Sequence, residues 1–279
     1  MARTWRWRLG VVVAVVGLGA GSEVLAEREK PRKPGPPAPA PPGPPAPQAG
    51  SEWGAMVAIP GGKFKMGSED GDPDERPAHE EEVKGFKLDE TEVTVGAYAR
   101  CVKEGKCTTP VTGGRCNWVG GREKHPVNCV NWEQAKAFCE AAGKRLPTEV
   151  EWEYAARGGA EGRKYSWGSE EPGARACWDG EGNDEGAGKR RGTCEVGKYA
   201  AGAYGLRDMG GNVWEWTADV YCPYRKEGGQ DTACKYDAKA RVYRGGGWNN
   251  VNPVSLRGAL RVRGEPSGRD GDLGFRCAG

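Results

Sequence analysis

From Gly159 to the C-terminus the sequence sustains almost no helical or strand period. Stretches such as YSWG, GLRDMGGNVWEW and RVYRGGGW set aromatic side chains between glycines instead. A chain so punctuated is a poor helical bundle, because each interior glycine costs a helix roughly 1 kcal/mol relative to alanine. It suits a loop-rich fold in which turns outnumber long elements and tryptophans supply buried area where regular structure is short. The counts agree, with 46 glycines and 11 tryptophans among 279 residues. At 37% hydrophobic residues the chain still suffices for one sizeable core.

The densest of these stretches runs from Gly205 to Trp216 and places two carboxylates around a double glycine. Hard cations take carboxylate and carbonyl oxygens, and adjacent glycines let a carbonyl turn inward without steric penalty. Asp208 and Glu215 are therefore candidate calcium ligands. The same residues also read as a tight turn leading into a buried tryptophan-rich segment.

Taken in order, residues 1–26 carry Arg3, Arg6 and Arg8, then an apolar run from Leu9 to about Ala20, and end at Ala26. This reads as a cleaved secretory signal peptide: the run falls short of the roughly 20 residues that span a bilayer. An uncleaved anchor is the alternative. Residues 27–50 form a proline- and alanine-rich linker expected to be semi-rigid and extended, either as a spacer or as a proline-motif ligand. The folded domain is assigned to 51–279. Within it, MVAIPGGKFKMGS reads as a β-hairpin turning at Pro60-Gly61-Gly62, and the acidic run Glu69–Glu82 as an exposed loop.

A strand turning into a helix is read next, and two short helices are well signalled after it. Thr94 caps the first of the three, with Val95, Tyr98, Ala99 and Val102 on one face and Gly105 at its end. Asn131 and Gln134 form a capping box for the second, with Trp132, Ala135, Cys139 and Ala142 as its buried stripe. Thr148 and Glu151 repeat the pattern before Gly158.

The formal net charge of +2 equals the contribution of the three arginines and one glutamate in residues 1–26. The remainder is near neutral and lacks the basic footprint of nucleic-acid binding. Ten cysteines without a CxxC pair, and only His79 and His125, favour disulfides over zinc. His125, entering a helix before Pro126, reads as structural. There is no GxSxG elbow, and no catalytic residue is assigned.

GKRLPTEVEWEYAARGG, YSWG, GLRDMGGNVWEW, RVYRGGGW and LGFRC, in that order over roughly residues 53–278, resemble the formylglycine-generating enzyme or sulfatase-modifying factor family. The resemblance implies an α+β, C-type-lectin-like fold of low regular secondary structure, stabilised by disulfides. It implies a structural calcium ion held by the side chains of Asp208 and Glu215 and the carbonyls of Gly211 and Val213. A second calcium site of some members maps to Ala176 and Gly188, which offer no side-chain oxygen. Beside them stand Cys177 and Cys194, which a disulfide could join in place of the ion. The resemblance also pairs Cys139 with Cys277. Cys101 with Cys107, Cys116 with Cys129 and Cys222 with Cys234 complete one possible local set.

The resemblance breaks at the chemistry. Family enzymes use two active-site thiols that hold copper, a soft-ligand requirement, to oxidise a peptide cysteine. Between Arg244 and Leu273 no cysteine occurs. The matching positions fall near Asn250 and within Pro253–Ser255, and Gly247 stands where the family has serine. Copper is therefore not expected. The expected function is a secreted or periplasmic, calcium-stabilised binding module for an exported peptide or protein, with Trp214, Trp248 and Arg263 lining a groove. It is expected neither to bind nucleic acid nor to insert stably in a membrane. A divergent formylglycine-generating or siderophore-maturation-type oxidase and an extracellular structural protein are the alternatives.

Overall fold

The computed structural model describes residues 53–225 and 239–279. The expected signal peptide, the linker, Ser51, Glu52 and Cys234 lie outside the described residues. All described elements belong to one unit, Pro42–Gly279. No helix among the described residues is long and apolar enough to cross a membrane.

The expected hairpin has a different turn. Strands β1 (Met56–Ile59) and β2 (Gly62–Met66) do not pair with each other: β1 pairs with β4 (Phe86–Asp89), and β2 with β3 (His79–Val83). The register is continuous across the break, Ile59 opposite Phe86 and Gly62 opposite Val83. The four strands are thus one long antiparallel arm whose turn is the acidic loop. Pro60 lacks the N–H that a ladder needs, so it interrupts the pairing rather than reversing the chain. Gly61 is required there because a Cβ would sit 2.6 Å from the Val83 carbonyl oxygen.

Helices α1 (Val95–Lys103), α2 (Trp132–Ala141) and α3 (Glu149–Ala156) start at the three expected caps. Thr94, Asn131 and Thr148 each accept a hydrogen bond from the backbone N–H three residues on. The buried stripe of α1 is rotated from expectation: Val95, Tyr98 and Cys101 are buried, whereas Ala99 and Val102 are half-buried. On α2, Phe138 rather than Ala142 completes the buried face. Strands β5 (Trp214–Val220), β6 (Arg241–Arg244), β7 (Arg261–Gly264) and β8 (Leu273–Gly274) form a sheet of order β7-β6-β5-β8, with β8 parallel to β5.

One core joins α1, α2 and the sheet through Tyr98, Phe138, Trp216 and Phe275. A second packs α3 on the strand arm through Trp152, Phe64, Leu88 and Met209. The C-terminal residues run along β4: Asp89 N donates to the Cys277 carbonyl, and Lys87 N to that of Gly279. Disulfides join Cys101–Cys107, Cys116–Cys129, Cys139–Cys277 and Cys177–Cys194.

Candidate functional site

The loop before β5 is fastened on both sides. Asp208 and Asn212 adopt left-handed conformations at φ +58° and +61°, which short polar side chains tolerate. Gly211, at φ +93°, lies so close to the Cys177 carbonyl that a Cβ would come within 2.6 Å of its oxygen. Asn212 N donates to that same carbonyl at 2.7 Å, and Gly211 N donates to the Gly245 carbonyl at 2.9 Å. Gly211 is therefore required by close backbone approach, and the loop presents Asp208 and Glu215 to one buried region.

Four charged side chains meet there. Glu215, fully buried on β5, accepts from Trp152 Nε1 at 2.8 Å and from both Nε and Nη2 of Arg276, at 2.7 and 2.8 Å. Arg276 spends its remaining donors on the carbonyls of Asp89, Glu90 and Arg207. Asp208 accepts from Gly197 N at 2.6 Å. Glu92, between β4 and α1, is 1% exposed; no donor group reaches its carboxylate oxygens, and its side chain lies within hydrogen-bonding reach of the Asp208 carboxyl, with which it can share a proton.

Burial raises the Glu92 carboxyl well above the usual carboxylate range, and the Asp208 charge raises it further. Burial likewise raises Asp208. Burial is the larger cause; in addition, three carboxylates facing one guanidinium would carry two formal negative charges in a low-dielectric setting if all were ionised. A buried, unpartnered carboxylate is costly unless paired or bound to a cation. An all-oxygen donor set carrying that charge suits a hard divalent cation. Among the described residues, however, no three His, Cys, Asp or Glu side chains converge to hold a metal by themselves. A cation here would draw on backbone carbonyls as well. Glu92 was not among the sequence candidates, since DETEV offers no local signal and its neighbour Asp208 lies more than a hundred residues away.

The loop between Cys177 and Cys194 holds a buried arginine. Arg190, 2% exposed, donates from Nε to the Trp178 carbonyl at 2.8 Å and from Nη1 to Glu185 at 2.9 Å, and pairs with Asp184. The Cys177–Cys194 bridge closes this loop beside it.

In the terminal segment, Asn250 is a loop fastener. Its Oδ1 accepts from Gly247 N at 2.7 Å and its carbonyl accepts from Asp179 N at 2.9 Å. Ser255 sits in a short helical turn, Pro253–Leu256, with its carbonyl oxygen against Gly246. No cysteine among the described residues is free. The expected groove of Trp214, Trp248 and Arg263 does not form. Trp214 is buried in the main core, Trp248 is buried against Cys177, Cys194 and Tyr199, and Arg263 is exposed on β7 over the Tyr221 ring. The tryptophans serve as the large apolar bodies that a fold with short elements needs.

Comparison with known proteins places these features. The family described as sulfatase-modifying factor enzyme 1-like domain matches residues 42–279. The formylglycine-generating enzyme of Streptomyces coelicolor is 34% identical over 80% of this chain and 88% of its own length. The inactive C-alpha-formylglycine-generating enzyme 2 of Mus musculus is also 34% identical, over 80% of this chain and 85% of its own. Among solved structures, PvdO from Pseudomonas aeruginosa superposes with a TM-score of 0.65 at 28% identity, covering 82% of this chain and 95% of that one. Treponema denticola variable protein 1 superposes at 0.63 and 27%, covering 80% and 94%.

Proposed function

The chain belongs to the sulfatase-modifying factor enzyme 1-like family, and on that premise we propose that it is an exported, calcium-stabilised binding module that has kept the family scaffold without copper oxidase chemistry. Identity does not decide the matter, because a relative named as generating formylglycine and one named as inactive are equally similar at 34%. The observation that supports the reading is chemical. The segment matching the paired thiols carries Asn250 and Ser255, and the described cysteines are all committed to disulfides. Carboxamide and hydroxyl groups are hard ligands and do not select Cu(I).

The calcium part of the proposal rests on Glu92, Asp208 and Glu215 with the carbonyls of Gly211 and Val213. With Glu92 and Asp208 both ionised the cluster would carry two uncompensated negative charges, which a divalent cation would relieve in place of protons. Export is supported by the disulfides, four of them between described residues, since such bonds persist in oxidising compartments.

Two measurements test the reading. Oxygen uptake with a cysteine-containing peptide, with added copper or iron, should stay at the buffer rate; turnover above it would establish the divergent-oxidase alternative instead. Calcium titration should raise the melting temperature as expected for a ligand of the native state alone, and Glu92→Gln and Glu215→Gln should each lessen that gain. A full gain retained in both variants would remove this cluster from the calcium site.

A further inference from the structure

A cavity of about 560 Å³ opens between the tip of the strand arm and the segment that follows α3. Its size is that of a small-ligand site, but charged and polar side chains outnumber apolar ones in its lining, so it does not suit an apolar cofactor. Asp70 and Asp72 are supplied by the tip of the strand arm, and both are exposed. Arg163, Lys164 and Arg257 stand among the remaining lining, with Val254, 39% exposed, contributing an apolar contact.

The charges differ in how firmly they are committed. Arg257 is held in a two-pronged pair by Glu75, which is fully buried, yet its Nε has no acceptor among the described residues. Arg163 spends Nε on Glu161 and Nη1 on the Ser166 carbonyl, and its Nη2 likewise has no acceptor among the described residues. The partners of Arg163 and Lys164 are exposed glutamates: Glu161 at 63% and Glu171 at 65% of the side chain. Such surface pairs contribute little and are exchanged at small cost for another carboxylate. Asp70 and Asp72 pair with no cation among the described residues.

We propose that this cavity binds a peptide segment carrying both a carboxylate and a basic group, the carboxylate toward Arg163 and Lys164 and the basic group toward Asp70 and Asp72. A polyanion such as a nucleotide is disfavoured by the two aspartates, and a purely basic ligand by the arginines and lysine. The proposal rests on the binding-module reading and gives that module its site and its ligand class.

The test uses the full folded chain saturated with calcium and the capped peptides Ac-Glu-Lys-NH2 and Ac-Glu-Ala-Ala-Lys-NH2. Controls replace Glu by Gln or Lys by Gln, and inorganic phosphate is titrated alone. At least one mixed-charge peptide should bind saturably at millimolar concentration or below, each neutral replacement weakening it about five- to tenfold. Lys164→Gln and Asp70→Asn, both at exposed positions, should weaken it similarly while leaving the melting temperature unchanged. Asp70→Lys should reverse the preference toward a peptide with two glutamates. Absence of saturable binding by either mixed-charge peptide overturns the proposal, as does equal binding of phosphate alone. So does binding unchanged in all three variants. Peptide oxidation would overturn the binding-module reading without touching the cavity, and failure to bind would leave the lost-oxidase reading intact, so the two outcomes are separable.

Discussion

Asp219 faces the start of α3, where its Oδ2 accepts a hydrogen bond from Glu149 N at 2.5 Å. Burial, reinforced by the Glu149 charge, pushes its carboxyl up to about 6. A folded-state value above that of the unfolded chain means that protonated Asp219 favours the native state. Its stabilisation is complete below about pH 4 and is lost as pH rises through about 6. Asp219→Asn keeps an oxygen acceptor for the helix while removing the charge. The variant should therefore be more stable than the parent at pH 7.5, by about 1–2 kcal/mol, and the difference should vanish near pH 4. Denaturant melts at the two pH values measure it, and an equal difference at both would detach the effect from this carboxyl. Gly211 makes a sharper case, because its φ of +93° and its distance from the Cys177 carbonyl both exclude a side chain. Gly211→Ala should cost about 2 kcal/mol or more, whereas Gly143→Ala, with open space around it, carries only the conformational penalty.

At the scale of elements, what the sequence made legible was local and what it hid was distant. Helix starts were readable because a cap and its partner lie three residues apart, as in Thr148 and Glu151. Thr148→Ala should accordingly cost about 1 kcal/mol, measured as a shift in denaturation midpoint. The turn of the strand arm was misread because alternation identifies strands but not their partners. Val57 meets Leu88 across the acidic loop, and no nearby residue announces it. Gly61 is where the arm's break can be probed: Gly61→Ala would place a Cβ 2.6 Å from the Val83 oxygen and 2.7 Å from Gly85 N, both backbone. A loss of about 1–3 kcal/mol is expected, and none would mean that the arm bends there freely. The site divides the same way. Asp208, Gly211 and Glu215 share one short stretch and were visible in it, whereas Glu92 gains its meaning only where the fold sets it beside Asp208. Arg190 was hidden for a related reason, since a basic residue in a glycine-rich loop looks solvated until Asp184, Glu185 and the Trp178 carbonyl are seen to enclose it.

At the scale of the whole molecule, a fold with short strands and, among the described residues, three short α-helices depends on covalent closure between parts distant in sequence. The Cys139–Cys277 bridge spans 138 residues and ties α2 to the segment that also delivers Arg276 to Glu215 and pairs with β4. Cys101–Cys107 spans only 6 residues at the end of α1. If disulfides act mainly by restricting the unfolded chain, the long bridge contributes up to about 5 kcal/mol and the short one about 2. The Cys116–Cys129 and Cys177–Cys194 bridges lie in between: the first falls before Cys139 and shortens nothing, while the second lies inside the long loop and trims its effective length. The expected gap therefore narrows but keeps its sign. Both cysteines of the long bridge and Cys101 are fully buried, so paired replacement by alanine removes comparable packing in the two cases. The Cys139→Ala/Cys277→Ala protein should thus melt several degrees below the Cys101→Ala/Cys107→Ala protein. Its calcium-dependent gain should also shrink, because Arg276 would no longer be anchored by its neighbour. Equal melting temperatures would show that noncovalent contacts of the C-terminal residues with β4, rather than the bridge, hold the terminus in place.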